Sequence, residues 1–394
     1  MSLYPLLLAF IQDLAPGWRA TSHVNLALLA RAIFIRRSLR LTDLARTYPT
    51  AAVRRVAQPK HGLLHRVKRV SRFLRHPTLD VAAVQRRLVR LSSTACSVPG
   101  LWLPVLVDLT YLTPFAILAA SIPHHGRALP LAWRAFRRTL VGEDCLSQNQ
   151  LIEDCLRALR ATIAPGILPV VVADREFARA AFFRFLKRER CQFVIRVDAE
   201  TWVVHPDYTG PMGQVGLRPG RSRWLVGAAY GKEEREPINL LAVWGRGHKA
   251  PWLLASDLDD PRVIAQFYRK RMKIEHGFRD WKHHLRLKGT VQVQKAAHLE
   301  RLLLGVIVLY WYLCLLGVRL NQPAYRAAVA CARGVSHFLL AVELVAMGHA
   351  AVLSTARRLA IWVRATLYPC RPLPPAYQLR YRRFRPAAYL AQIG

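Results

Sequence analysis

Residues 165–197 read PGILPVVVADREFARAAFFRFLKRERCQFVIRV. The opening run is short, apolar and β-branched, and it ends on an acid, Asp174. Such a run spells a strand buried on both faces. A loop and a helix follow, and FVIRV returns to the strand pattern. Strand, loop, helix and strand in succession predict an α/β sheet. Ligands of such sheets are held at strand ends, where Asp174 falls.

Upstream, LWLPVLVDLTYL (residues 101–112) is a second buried-strand pattern, with one acid, Asp108, inside it. An acid in an apolar run is costly unless paired. Asp108 therefore calls for either a metal or an arginine partner. Between these strands, SQNQLIEDCLRALRATI reads as an amphipathic helix. Downstream, residues 201–255 switch to short Val-, Trp- and Leu-rich strands with Gly, Lys and Glu in the turns, which predicts a small antiparallel insertion. At DDPRVIAQFY a helix restarts with Asp260 as N-cap and Pro261 at its first position. It is expected to run on through QFYRKRMKIEHGFRDWKHH (266–284) toward Gly289.

The remaining segments are helical. Residues 1–95 are basic; Thr42 is read as the N-cap of a short helix ended by Pro49, and Leu63, Leu64, Val67, Val70, Phe73 and Leu74 recur as the apolar face of another. The uncharged run Leu302–Val318 sits at the short limit of the roughly 17–25 residues of a membrane span. Basic residues flank it on both sides, giving no orienting asymmetry. It is read as a buried core helix, with no membrane partner. Residues 321–394 are helical before a Pro- and Arg-rich tail. The resulting division is 1–95, a basic helical region; 96–200 and 256–320, two parts of an α/β core; 201–255, the β insertion; and 321–394, the C-terminal region.

Bulk composition narrows the function. The 394 residues carry 59 Lys+Arg against 24 Asp+Glu, a formal net charge of +35. A fold does not need that imbalance, which costs self-repulsion unless a polyanion neutralises it. Nucleic acid is the first candidate. With 53% hydrophobic residues the chain can build a real core. Seven scattered cysteines contain no C-x-x-C pair, so neither a zinc site nor a disulfide framework is indicated.

The 266–284 helix admits a geometric test. Tyr268, Arg271, Glu275 and Lys282 stand at offsets 0, 3, 7 and 14. At about 100° per residue they project at roughly 0°, −60°, −20° and −40°, within one stripe. The other acid, Asp280, lies about 140° from Glu275 and is read as structural. Glu275 alone is equally compatible with an ion pair to Arg271 or Arg279 on the helix surface.

The spacing Y-x2-R-x3-E-x6-K resembles the signature of the DDE transposases of bacterial insertion sequences, in the YREK group that cuts and pastes through DNA hairpins. VDLTYL is similar to that family's first-Asp strand, VVADREF to its second-Asp motif, FVIRV to the strand that follows, and PWLLASDL to its tryptophan-containing segment. Together these cover about residues 98–318. The resemblance implies a ribonuclease-H-like mixed sheet flanked by helices, with the β insertion placed between the second Asp and the catalytic Glu.

It also implies the chemistry. Asp108, Asp174 and Glu275 would be catalytic and would hold two Mg²⁺ ions, with Mn²⁺ tolerated; hard cations take carboxylate oxygens and leave positions for water and phosphate. Tyr268, Arg271 and Lys282 would contact phosphate beside the cleavage point, and Arg196 would make a further DNA contact. Trp252 would stack on a flipped base, with Trp244 as its nearby competitor; Met272 stands where the family often has a second aromatic. The implied partners are double-stranded DNA, as terminal inverted repeats and target, and a second copy of the chain in a synaptic dimer within the bacterial cytoplasm. A metal-dependent endonuclease without strand transfer, and an inactive transposase-derived DNA-binding protein, are the alternatives.

Overall fold

The computed structural model describes residues 3–48, 59–76, 79–93, 102–137, 148–287, 291–329 and 335–368. Helices α1 (Leu3–Leu14), α2 (Ala20–Arg36), α3 (Leu41–Ala45), α4 (Pro59–Arg75) and α5 (Val81–Ser93) precede the sheet. The predicted N-cap at Thr42 is displaced. α3 starts at Leu41, and Ser38 serves the turn instead, accepting from the Arg40 N–H and donating to Asp43. On α4, Val70, Phe73 and Leu74 are buried as expected, but Leu64 is 52% exposed. Pro49, Gly289, the tail beyond Tyr368 and four of the seven cysteines lie outside the described residues. Cys155, Cys191 and Cys314 are buried free thiols.

Strands β1 (Trp102–Leu112), β2 (Phe115–His124) and β3 (Arg127–Arg137) form a meander. Its second turn, His125–Gly126, has positive φ at both residues (41° and 80°), the tight hairpin geometry that suits the twist of flanking strands. After α6 (Gln148–Arg160), the segment 165–197 folds as predicted: β4 (Leu168–Ala173), α7 (Ala180–Arg188) and β5 (Gln192–Arg196). β4 lies parallel to β1 on one side and to β5 on the other, while β1 to β3 are antiparallel. This α/β mixed sheet flanked by helices is a ribonuclease-H-like arrangement.

The β segment is not a separate layer. β6 (Trp202–His205), β7 (Tyr208–Pro211), β8 (Ser222–Tyr230), β9 (Glu236–Val243) and β10 (Trp252–Ser256) extend the core, because β10 pairs antiparallel with β5. One ten-stranded sheet results, in the order β3-β2-β1-β4-β5-β10-β9-β8-β6-β7. Its frame beyond β10 is α8 (Pro261–Lys270) and α9 (Met272–Arg279), then α10 (Ala296–Arg319), α11 (Pro323–Ala328), α12 (His337–Ala346) and α13 (Ala351–Leu367).

Asp260 caps α8 as predicted, accepting from the Arg262 and Val263 N–H groups, with Pro261 first in the helix. The single long helix does not form. α8 and α9 meet at Arg271, and Asp280–His284 is a π turn closed by the Leu285 N–H on the Asp280 carbonyl, five residues back.

α10 is the one described helix long and apolar enough to cross a membrane, with a mean hydropathy of 2.1 over its best window. Here 89% of that window is buried inside the protein, against β3 and the helices α1, α2, α12 and α13. Two of its polar side chains tie it to the sheet: the Trp311 indole donates to the Pro130 carbonyl (2.7 Å), and the Glu300 carboxylate accepts from the Ala135 N–H (3.0 Å). At Gly317 the backbone of α12 approaches so closely that an added Cβ would fall on the His337 carbonyl. Gly317→Ala is therefore expected to destabilise the protein by about 1–3 kcal/mol through overpacking. Gly17→Ala, where nothing lies within 4 Å, is expected to stay within about 0.5 kcal/mol of wild type. Urea unfolding midpoints measure both.

Candidate active site

The β1–β4 register places the first two acids. Val107 pairs with Ala173, and in adjacent parallel strands the next residues along, Asp108 and Asp174, stand side by side. Asp108 accepts from the Leu109 N–H (2.8 Å). Asp174 ends β4 and caps the short turn after it, accepting from the Arg175 N–H (2.7 Å). Each carboxylate keeps its other oxygen for the site.

Glu275 arrives on α9, which is held to the β2–β3 hairpin at three points. The Asp280 carboxylate, 1% exposed, receives Arg127 Nε at 2.6 Å and the Tyr310 hydroxyl at 3.2 Å. His276 Nδ1 lies 3.3 Å from the Gly126 carbonyl. Gly277 passes close to the Ala128 carbonyl, where a Cβ would stand at only 3.3 Å. Asp280 is thus structural, as its position on the helix predicted, and burial pushes its pKa up while Arg127 pulls it down.

All three acids converge on one guanidinium. Arg271 lies 3.3 Å from Asp108, 3.2 Å from Asp174 and 2.5 Å from Glu275, and its side chain is 9% exposed. The alternatives left open by the sequence, an arginine partner for Asp108 and an i,i+4 partner for Glu275, are both realised by this single residue. The arginine was legible as part of the stripe; its bridging role was not, because it depends on strands more than 90 residues away in sequence. Burial raises the Asp108 carboxyl to about 6; Arg271 and the Leu109 N–H lower it, and Asp174 and Glu275 push it up.

The other predicted residues surround this centre. Backbone at Arg271 stays in the α region (φ −54°, ψ −43°), so Tyr268, Arg271 and Glu275 keep one side of the α8–α9 segment. Tyr268 is 4% exposed, and its buried hydroxyl has no well-aligned partner among the described residues. Its ring meets Trp252 edge-on at 5.1 Å, and Arg196 on β5 is close enough to lower its raised pKa. Trp252 also lines a small cavity with His248, Ala265 and Arg269. Trp244 is committed elsewhere, donating its indole N–H to the His248 carbonyl (2.8 Å). Met272 is 45% exposed beside Arg271.

Lys282 departs from the stripe. It lies within the π turn, whose residues each turn by less than those of an α-helix. The projection calculated for an unbroken helix therefore does not hold for it. It lines a small cavity with Thr110, Phe278, Trp281 and Leu287, beside the strand that carries Asp108. Away from the site, Arg19, Arg69, Arg72 and His76 line a groove between α2 and α4, a basic surface that sequence patterning had given only as a helix face.

The donor set suits a hard divalent cation by type: three carboxylates, one from within β1, one just past the end of β4 and one from α9. As they stand, no three His, Cys, Asp or Glu side chains among the described residues are spaced to hold a metal. The acids are spread around a guanidinium, which is wider than a metal ion.

Among protein-family models, the one described as a transposase DDE domain matches residues 147–312. That span includes Asp174 and Glu275 and leaves Asp108 outside. No curated protein matches the chain. The family match supports a DDE transposase acting in DNA transposition.

Because three carboxylates share one arginine, removing one relieves repulsion, whereas Asp280 is the charge partner of a largely buried Arg127. Glu275→Gln is expected to melt at or above the wild-type temperature. Asp280→Asn is expected to lose about 3 kcal/mol, the cost of stranding a buried charge. Thermal and urea unfolding of the two variants, compared side by side, check this ordering.

Proposed function

We propose that the protein is a cut-and-paste DNA transposase of the YREK group, cleaving DNA at element ends and transferring the freed 3′-OH to target DNA. The observation that carries the reading is the convergence of Asp108 on β1, Asp174 just past β4 and Glu275 on α9 around Arg271, with Tyr268 and Arg271 on the same helix stripe as Glu275. A buried structural ion pair needs one acid per arginine; three acids around one arginine leave an excess of negative charge that serves only if cations arrive.

Asp108, Asp174 and Glu275 would hold the Mg²⁺ ions, and Mn²⁺ would substitute. Such a pair of ions activates the attacking oxygen and stabilises the leaving one. The chain's own residues do the rest. Tyr268 would offer its hydroxyl, and Arg196, Lys282 and Arg271 would offer cations, to phosphate beside the acids. Trp252, half-buried next to Tyr268, would offer its ring face to stack on an unpaired base. The groove lined by Arg19, Arg69 and Arg72 gives residues 1–95 a surface for element-end DNA, and synapsis of two ends calls for a homodimer. A bacterial cytoplasmic setting, in contact with the nucleoid, follows from that reading.

The test uses Asp108→Asn, Asp174→Asn and Glu275→Gln with DNA carrying the element's inverted repeats. Each is expected to lower Mg²⁺-dependent cleavage by about a hundredfold or more, since a ligand's share of charge stabilisation amounts to several kcal/mol, while end binding persists. Wild-type cleavage by any of them removes that residue from the site. Cleavage without joined product in the wild type assigns a simple endonuclease instead.

Lys282→Ala is expected to weaken end binding about equally on all sequences and to reduce the slope of log affinity against log salt by about 0.9, one phosphate contact. Filter binding across a salt series measures the slope, and an unchanged slope removes Lys282 from the DNA contacts.

A further inference from the structure

The reading above gives Arg271 a single task, to hold phosphate. Its geometry describes another. The guanidinium is 9% exposed, it spans Asp108, Asp174 and Glu275 at 3.3, 3.2 and 2.5 Å, and no other basic side chain forms an ion pair with any of the three among the described residues. Its Nη2 alone reaches both Asp174 and Glu275, from a strand end and a helix respectively. A cation bound by the same oxygens must occupy the space between them. Two positive groups cannot share that space without repulsion, and three carboxylates cannot be close ligands of both.

We infer that Arg271 is the resident cation of the metal-free site: it holds the three carboxylates together in the absence of metal, competes with divalent ions for them, and leaves them when metal enters. Released, it becomes available to DNA phosphate. Metal loading and the arginine's DNA contact are then linked, because the same side chain cannot satisfy the acids and the phosphate together. The inference rests on Asp108, Asp174 and Glu275 being the metal ligands.

A simple structural role for Arg271 makes the opposite prediction about metal binding. If the arginine only propped the acids in place, its loss would splay them and weaken the metal. If it occupies the metal's place, its loss frees the acids and strengthens the metal. The apparent affinity of a site that is open only a fraction of the time is reduced by that fraction. An arginine-closed site open about one-tenth of the time would bind about tenfold more weakly than the same site without the arginine.

The experiment titrates the full chain, free of DNA, with Mn²⁺ and follows binding by calorimetry or by the paramagnetic signal of the free ion. Arg271→Ala and the near-isosteric Arg271→Gln are expected to bind Mn²⁺ about tenfold more tightly than wild type or better. In chelator they are expected to melt below wild type, and to gain more than wild type on Mn²⁺ addition. Asp174→Asn serves as the control for the ligand set, and is expected to weaken Mn²⁺ in both the wild-type and the Arg271→Gln backgrounds. If Asp174→Asn weakens Mn²⁺ while both arginine variants bind it no better than wild type, the competition is overturned and the ligand assignment stands. If Mn²⁺ binding is absent, or indifferent to Asp174→Asn, the ligand assignment falls and the competition falls with it.

Discussion

Three carboxylates gathered at one end of a buried sheet repel each other, and the fold tolerates them only with positive charge between them. That constraint organises the region around Asp108, Asp174 and Glu275. Arg271 meets it within the free chain, and it does so from the same helix face as Glu275, one turn away. The acids come from elements brought together by long-range packing, whereas the arginine and the glutamate are neighbours on a helix. The site is therefore half preassembled by local structure and half completed by the sheet.

Completing it requires that a helix be docked onto a strand pair with little freedom. The hairpin turn at His125–Gly126, the buried Arg127–Asp280 pair and the close approach at Gly277 supply that docking. The regular α9 turn between Glu275 and Asp280 lets Asp280 reach Arg127 and Tyr310 while Glu275 faces Arg271, and the π turn begins only at Asp280. α10 backs the arrangement, and its apolarity reflects what it touches: sheet on one side and helices on the other.

Much of this was legible in the residues. The apolar, β-branched runs ending on or containing an acid marked the strands β1 and β4, and Asp260–Pro261 marked the start of α8. The separation of Glu275 from Asp280 by helix angle anticipated that the two acids would face different neighbours, Arg271 for one and Arg127 for the other. What escaped were features set by tertiary contact. A helical projection assumes an unbroken helix, so it could not foresee the break at Arg271 or the displacement of Lys282 by the π turn. Nor could local pattern show that the β segment would join the core sheet, because β-strand patterns do not name their pairing partner. The triple bridge made by Arg271 joins residues 97 to 163 positions away on one side and four on the other, and only the first kind of distance hides a contact from sequence.

The pairing of β10 with β5 has a consequence beyond the site. Without it the core sheet would end at β5, a flat strand of apolar side chains with its hydrogen-bonding groups bare, which is a template for joining another chain. Growing the β segment onto that strand covers the exposed edge and moves the sheet's boundary out to β7, a strand of four residues containing Gly210 and Pro211. Short strands with such residues make poor templates. The segment that carries Trp252 thus also shields β5 from edge-to-edge association, and a chain shortened there would expose that edge.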